Sequence, residues 1–532
     1  MKNILFSISL FYVFVLLLSS CDAARDDVYN PYPEINISNM TESGVVSQQM
    51  LVGDTLKIAP VVQAGDTDED QFEYYWYKQS STSLRLLSRE KVLSYLLDSL
   101  GVLTIRLEVE NIHTHIKSVA KVSTQVVSKA QRGWYVLKET GDGNTDMDAF
   151  ILDDNDNVEV TMNDIFAGKT GTLIGKPVSL LFTSNYRWKT NSSSYYTSYL
   201  PIFIPISEKT MLAYKIDNEN VLMETEGLFY DQADANSPNF SGAITNPIQS
   251  ILVNNGKAHI MQYGAPAFLS TISGDYELSP YLTESSKSSS EMMAFDNKSS
   301  SFAVVHTKAQ QLFYFPNTYL SDEYRISSNN MNGSLSFMEN TDGNLNPDTL
   351  YAQRAYALFH ENNRNDRCVL LGLDLAQVDP QQSELGNAKY SPIMYADTIS
   401  YALFPSLKDA KVLTLHKNHP ILYYASGNKV NEYKIEAKDA KEGVLTFPSD
   451  EEVTYMKFVE CTYNSGNITS FSRLLIATYT PASSAYRIYQ YIVAGDSFTL
   501  YGKALTGKGK IKTMMYASPY TYAWEQSLYR YY

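Results

Sequence analysis

Two short stretches of this chain space oxygen-bearing side chains as calcium loops do. The first runs Asp142, Asn144, Asp146, Asp148, with Asp153 at the twelfth position; the second runs Asp342, Asn344, Asn346, Asp348, with Gln353 at the twelfth. Calcium is a hard cation that takes about six to eight oxygens, and alternate residues of a tight loop can converge on it. Position six, however, is Met147 in one and Pro347 in the other, where an EF-hand turn needs Gly, and neither twelfth residue is the bidentate Glu. Asp-Gly and Asn-Pro also form turns well, so a plain hairpin turn is the alternative in each place. Calcium is the only cofactor these residues suggest, and the first loop suits it better.

Other chemistry is sparse. His113 and His115 lie two apart and on a strand would share a face, fit for a metal or for an exposed polar edge beside Thr114 and Lys117. The remaining histidines are scattered, and no H-E-x-x-H helix, G-x-S-x-G elbow or phosphate loop occurs. No residue is therefore assigned a catalytic role. Aromatic rings cluster instead, at Tyr186, Trp188, Tyr195, Tyr196 and Tyr199, and again at Tyr516, Tyr520, Tyr522, Trp524 and Tyr529. Flat rings offer apolar faces to sugar CH groups and hydroxyl edges for hydrogen bonds, so the 186–199 set is the candidate surface for a glycan or peptide. The C-terminal set reads as packing in a closing strand.

The elements that must position these residues are almost all strands. Forty-one Tyr and 22 Phe against four Trp suit pleated sheets, and 532 residues with 44% hydrophobic composition fill more than one core. Residues 34–128 hold short alternating runs, 55–62, 72–78 around Trp76, 101–109 and 116–127, at the spacing of an immunoglobulin-like sandwich without its cysteine pair. Residues 129–532 repeat a strand, a polar turn and a second strand: 199–206 with 210–216, 259–263 with 267–272, 301–306 with 311–315, 355–360 with 369–375, 421–425 with 429–435, and 474–480 with 486–493. Such repetition predicts an all-β chain whose second part is a β-propeller-like domain of about seven blades, with a two-sheet or solenoid architecture as the alternative. Cys368 and Cys461 can form one bridge or remain two thiols. A net charge of -15 argues against nucleic acid as a partner.

The N-terminus carries an address. Lys2 precedes an apolar run over 4–18, too short for a stable bilayer span, and Leu18-Ser19-Ser20-Cys21 closes it. This resembles the lipobox of bacterial lipoproteins: residues 1–20 are the signal peptide, Cys21 is the acyl acceptor, and the polar 21–33 stretch is a tether. The lipobox, Asp66-Thr67-Asp68-Glu69-Asp70 leading into Tyr75-Trp76, Gly133-Trp134-Tyr135-Val136-Leu137 and Gly175-Lys176-Pro177-Val178 together resemble the PKD-like family lipoproteins of Bacteroidetes. That resemblance implies a PKD/Ig-like sandwich over 34–128 and a lipid anchor in the outer membrane with the protein facing the cell surface. It also implies a non-enzymatic role beside a TonB-dependent transporter of the starch-utilisation type, capturing a nutrient. A propeller-type glycan hydrolase or lyase and a structural or adhesive subunit of the transporter complex are the alternatives. The family supplies no catalytic residues to carry over.

Overall fold

The computed structural model describes residues 33–40, 50–51, 54–65, 71–80, 83–98, 101–127, 133–153, 155–188, 198–215, 220–246, 249–262, 264–284, 291–307, 309–316, 326–341, 354–375, 391–461 and 471–517. Two compact units divide the chain, Met1–Val127 and Ser128–Tyr532.

The first unit is built on β1 (Asn36–Ser38), β2 (Met50–Leu51), β3 (Thr55–Ile58), β4 (Val61–Gln63), β5 (Phe72–Gln79), β6 (Leu84–Ser88), β7 (Leu93–Leu96), β8 (Gly101–Asn111) and β9 (Lys117–Val127). Five of them form one sheet in the order β2-β9-β8-β5-β6, and β1-β4 and β3-β7 make two short pairs. The period-two alternation puts Phe72, Tyr74 and Trp76 of β5 beside Leu103, Ile105, Leu107 and Val109 of β8 in a single core. Trp76 is fully buried and donates its indole N–H to the Glu90 carbonyl at 2.8 Å. The expected strand over 55–62 is two strands broken at Ala59-Pro60, since Pro lacks the donor a continuing ladder needs. His113 and His115 sit in the β8–β9 connection and not on a strand face, with His115 at φ 57.

The second unit contains seven sheets among the described residues. The first joins β10 (Gly133–Glu139), β11 (Thr145–Leu152) and β12 (Val158–Met162) to the last described strand, β37 (Lys510–Ala517), in the order β12-β11-β10-β37. Next come β13–β16 (Pro177–Trp188, Ser198–Ser207, Leu212–Lys215, Asn220–Glu224) and β17–β19 (Phe240–Thr245, Gln249–Asn254, Lys257–Gln262). The fourth and fifth are β20–β23 (Thr283–Glu284, Glu291–Asp296, Ser301–His306, Gln311–Tyr314) and β24–β27 (Gly333–Asn340, Arg354–Glu361, Arg367–Asp374, Ile393–Ser400). The sixth is β28–β31 (Val412–Leu415, Ile421–Ser426, Lys429–Lys434, Asp439–Thr446); the seventh is β32–β35 (Glu452–Cys461, Phe471–Thr480, Ala485–Ala494, Ser497–Leu500), with β36 (Leu505–Lys508) on β34. Each is an antiparallel meander, tightly turned where the sequence allows: Asn255-Gly256 joins β18 to β19 with both φ positive, 51° and 72°.

Seven apolar cores lie between consecutive sheets, and the seventh lies between the last sheet and the first, where Trp134 and Phe150 pack with Leu475, Ile488 and Tyr516. The sheets thus close on themselves in a propeller-like ring, and the chain is all-β with a sandwich-like unit before it. Because both faces of each sheet are covered, strands such as β11, β18 and β21 are buried at every residue. One expected pair fails. Residues 267–272 form no strand; Leu269 and Ile272 hydrogen-bond to Ile260 and Ala258 of β19, but Phe268 is drawn to the Leu228 carbonyl, and the true partner of β19 is β18.

Candidate functional site

The first strands of the sheets, with β37 in that place in the first sheet, follow one another around the ring: β13 adjoins both β37 and β17, β24 adjoins β20 and β28, and β32 adjoins β28 and β37. At the meeting of β24, β28 and β32 the apolar packing gives way to charge. A register shift between Leu335 and Phe337 on β24 turns Phe337 toward the sixth sheet, and Glu339, two residues on, points the same way.

The Glu339 carboxylate accepts from the Thr414 hydroxyl at 3.1 Å and from the Leu415 backbone N–H at 3.0 Å. Its other oxygen meets the Lys457 ammonium at 2.5 Å and the Lys417 ammonium at 3.5 Å. Lys417 also donates to the Asn340 carbonyl, and the Thr414 hydroxyl accepts from the Phe458 backbone N–H, so three sheets share one network. Glu339 and Lys417 are buried, whereas the Lys457 side chain remains 38% exposed. Burial alone would raise the Glu339 carboxyl, but Lys457 and Lys417 outweigh it and hold the group below its ordinary value. His416 stacks on Phe458, ring centroids 4.1 Å apart, and lies 4.7 Å from His419; burial, with His419 adding to it, pushes its imidazole down to about 4.

This arrangement holds a carboxylate ionised, keeps a neutral imidazole on the same sheet edge, and leaves one of the two lysine side chains partly exposed. An ionised carboxylate clamped by two cations is poorly tuned for proton transfer near neutrality. A partly exposed lysine side chain whose ammonium is fixed by a carboxylate is suited to hydrogen-bonding polar ligand groups.

The sequence-predicted residues lie elsewhere. Tyr186 is buried with Leu181 and Ile202 in the core between the second and third sheets, so its ring offers no face to a ligand. It falls on the apolar side of β13 because a register shift between Thr183 and Tyr186 resets the alternation. Trp188 and Tyr199 belong to the paired ends of β13 and β14, and Tyr195 and Tyr196 lie outside the described residues. Tyr516 packs on Trp134 at 5.0 Å within the closing strand, as a packing role requires, while Tyr520, Tyr522, Trp524 and Tyr529 lie outside the described residues. So do Cys21 and the second candidate calcium loop from Asp342 to Gln353.

The first candidate loop does not converge. Asp142 caps the β10–β11 turn, accepting from Thr140 and Asn144, and the Asn144 amide oxygen accepts from the Gly175 N–H. Asp146 is buried and accepts backbone N–H bonds from Phe166 at 2.8 Å and Ala167 at 3.0 Å; burial nevertheless pushes its carboxyl up. Asp148 meets Lys138 at 2.6 Å and accepts from the Tyr486 hydroxyl at 2.5 Å, linking first sheet to last, while Asp153 caps its own turn through Asn155 and Asn157. Among the described residues no group of three or more His, Cys, Asp or Glu side chains is placed to hold a metal ion. Cys368 is a free, buried thiol, pushed up to about 11 by that burial.

Glu339, Lys417 and Lys457 were not marked by any motif. Their one sequence signal is a charge inside an apolar run, as in Phe337-Met338-Glu339 and Met456-Lys457-Phe458, since a charge is rarely buried unpaired.

Comparison with known proteins bears on the two units differently. Residues 26–177 match the PKD-like family. That match covers the first unit from residue 26 onward and runs on through β10, β11 and β12 to the start of β13. No curated protein matches the chain. Among solved structures, a quinonprotein alcohol dehydrogenase-like protein from Bacteroides thetaiotaomicron aligns over 91% of this chain and 99% of its own, at 10% identity and a TM-score of 0.39. The WD40 domain of Pan2 from Neurospora crassa aligns over 62% of this chain and 79% of its own, at 8% identity and a TM-score of 0.34. The extracellular domain of a putative one component system from B. thetaiotaomicron aligns over 63% and 40%, at 8% identity and a TM-score of 0.29.

Proposed function

We propose that this chain is a lipid-anchored binding protein of the bacterial cell surface, held in the outer membrane through Cys21, whose ring captures a polar nutrient, glycan or peptide, beside a TonB-dependent transporter. The observation that carries the binding role is the partly exposed Lys457 side chain, its ammonium fixed by a buried carboxylate where three sheets meet. A cation whose position is set before the ligand arrives loses little freedom on binding, which favours recognition. The PKD-like match and the lipobox support the surface location.

The test is a titration of the full chain, carrying Cys21→Ser to release it from lipid, against glycan and peptide panels while cleavage is followed. Saturable binding without turnover is expected, and Lys457→Met should weaken it by about tenfold or more, the worth of one charge-assisted hydrogen bond. Turnover of a panel member would replace this reading with a hydrolase or lyase. Cell fractionation should move the Cys21→Ser chain out of the membrane fraction.

A further inference from the structure

Side chains from β24, from β25 and from just past β27 meet on the side of the fifth sheet that faces the sixth. The bulge between Leu335 and Phe337 leaves Ser336 without a partner on β25, and such bulges re-aim the side chains they carry. His360 stands on the side of β25 that bears Tyr356 and Leu358, both packed toward the sixth sheet. The Ser336 hydroxyl reaches Nε2 of His360 at 2.7 Å, and Nδ1 of the same ring meets the Tyr401 hydroxyl at 3.3 Å. Ser336, His360 and Tyr401 are each partly exposed.

A serine, an imidazole and a third group on the far ring nitrogen are the parts of a nucleophile, its base and the orienter of that base. The bond at one ring nitrogen decides what the other can do. With Nδ1–H donated to Tyr401, Nε2 is the acceptor and can take the serine proton. Burial holds the His360 imidazole below its ordinary value, so the ring is neutral and able to accept near neutral pH. Tyr401 also hydrogen-bonds with the Cys368 thiol, which burial pushes up to about 11, so no thiolate competes with the serine as nucleophile.

We propose that Ser336 is a nucleophile toward small acyl esters, with His360 as its general base and Tyr401 as the positioning residue. The Ser336 Oγ bonds to the ester carbonyl carbon as its proton passes to Nε2. The bond from that carbon to the leaving oxygen then breaks, and Nε2 returns the proton to the departing alcohol. An O-acyl-serine remains, and water deprotonated by the same base releases the acyl group as its acid. The acyl group is small, of acetyl size, because both serine and imidazole are half-sheltered by their own sheet. Its removal leaves a glycan or peptide chain uncut, so this activity goes beyond the capture proposed at Lys457 and does not depend on it.

The probe is p-nitrophenyl acetate with the full chain carrying Cys21→Ser, nitrophenolate release being followed optically and acetylated residues located by peptide mass. Ser336 should be acetylated about a hundredfold faster than it is in His360→Ala, toward the low end of what a positioned base contributes. Imidazole added to His360→Ala should restore part of that rate, which a purely structural histidine would not allow. With His360 present the rate should rise with pH to a plateau whose midpoint lies below 6.5, and Tyr401→Phe, which keeps the ring and removes the acceptor, should slow acetylation and move that midpoint. Acetylation of Ser336 no faster than in His360→Ala, or label confined to lysines, would overturn the proposal.

Discussion

The ring and the sandwich dispose of their sheet faces in opposite ways. In the ring each sheet is covered on both sides by its neighbours, and closing the chain end onto β10 leaves no terminal face. In the sandwich the main sheet buries its Trp76 face and leaves the other open, with an edge at β6. Of the sixteen large hydrophobic side chains exposed among the described residues, eight belong to this smaller unit, so for its size its surface is the richer in apolar side chains. Closure spends apolar surface on the fold, whereas an open sheet keeps some for partners.

The sharpest way to break this contrast is to reopen the ring. Ending the chain before Lys510 removes β37, exposes the edge of β10 and strips Met514, Met515 and Tyr516 from two cores. The loss should exceed about 5 kcal/mol and unfold the second unit, leaving exchange protection at β5 and β8 intact. A smaller break uses the ionic link across the same joint. Asp148→Ala leaves Lys138 buried with only the partly exposed Asp164, 2.8 Å away, as its anion, and should destabilise the second unit by about 3–5 kcal/mol in urea melts. Replacing Asp148 and Lys138 together by Leu and Met should recover most of that loss. If the single variant were neutral, the closing joint would rest on its apolar core alone.

Acid should separate the units by a smaller margin. His416 stays neutral in the folded ring down to about pH 4, whereas unfolded it takes a proton near 6.5. The unfolded state then binds more protons, so stability is lost as pH falls through that window, by about 3 kcal/mol in all. Glu339, with its carboxyl held low, gives a further loss below its ordinary value of 4.5, and Asp146, pushed up by burial, acts in the opposite sense. His416→Leu should make the fall of the ring's urea midpoint between pH 6.5 and 4 shallower, with His259 and His360, also pushed down by burial, keeping part of it. An unchanged slope would mean that imidazole is not shielded by Phe458 and His419 as placed.

What the sequence disclosed and what it hid divide along the same lines. Alternation made β5 and β8 legible, and strand-turn-strand repeats located β22–β23, β25–β26, β29–β30 and β33–β34, because those signals are local. The closing strand was visible through its aromatics, though only Tyr516 falls on it within the described residues. Tyr186 was misread because β13 runs on through it to Trp188 in a sheet covered on both faces; the register shift only decides which of the two cores it enters. The calcium reading of Asp142 to Asp153 dissolved because the partners of Asp146 and Asp148 come from Phe166, Ala167 and Tyr486, which no spacing rule connects to that loop. Glu339 and Lys457 were hidden for the same reason: the sheets between them set their distance.

The finest test concerns side chains that the fold itself does not need. Val102, the second residue of β8, is 75% exposed, on the face of the sheet opposite Trp76. In a unit selected only for folding, Thr would serve there equally, being β-branched and content in a strand. Val102→Thr should therefore change the stability of the first unit by less than about 0.5 kcal/mol, measured by urea melts. A loss beyond about 1 kcal/mol would show Val102 packing against part of its own chain, and the open face would then be covered surface, ending the contrast with the ring at that point.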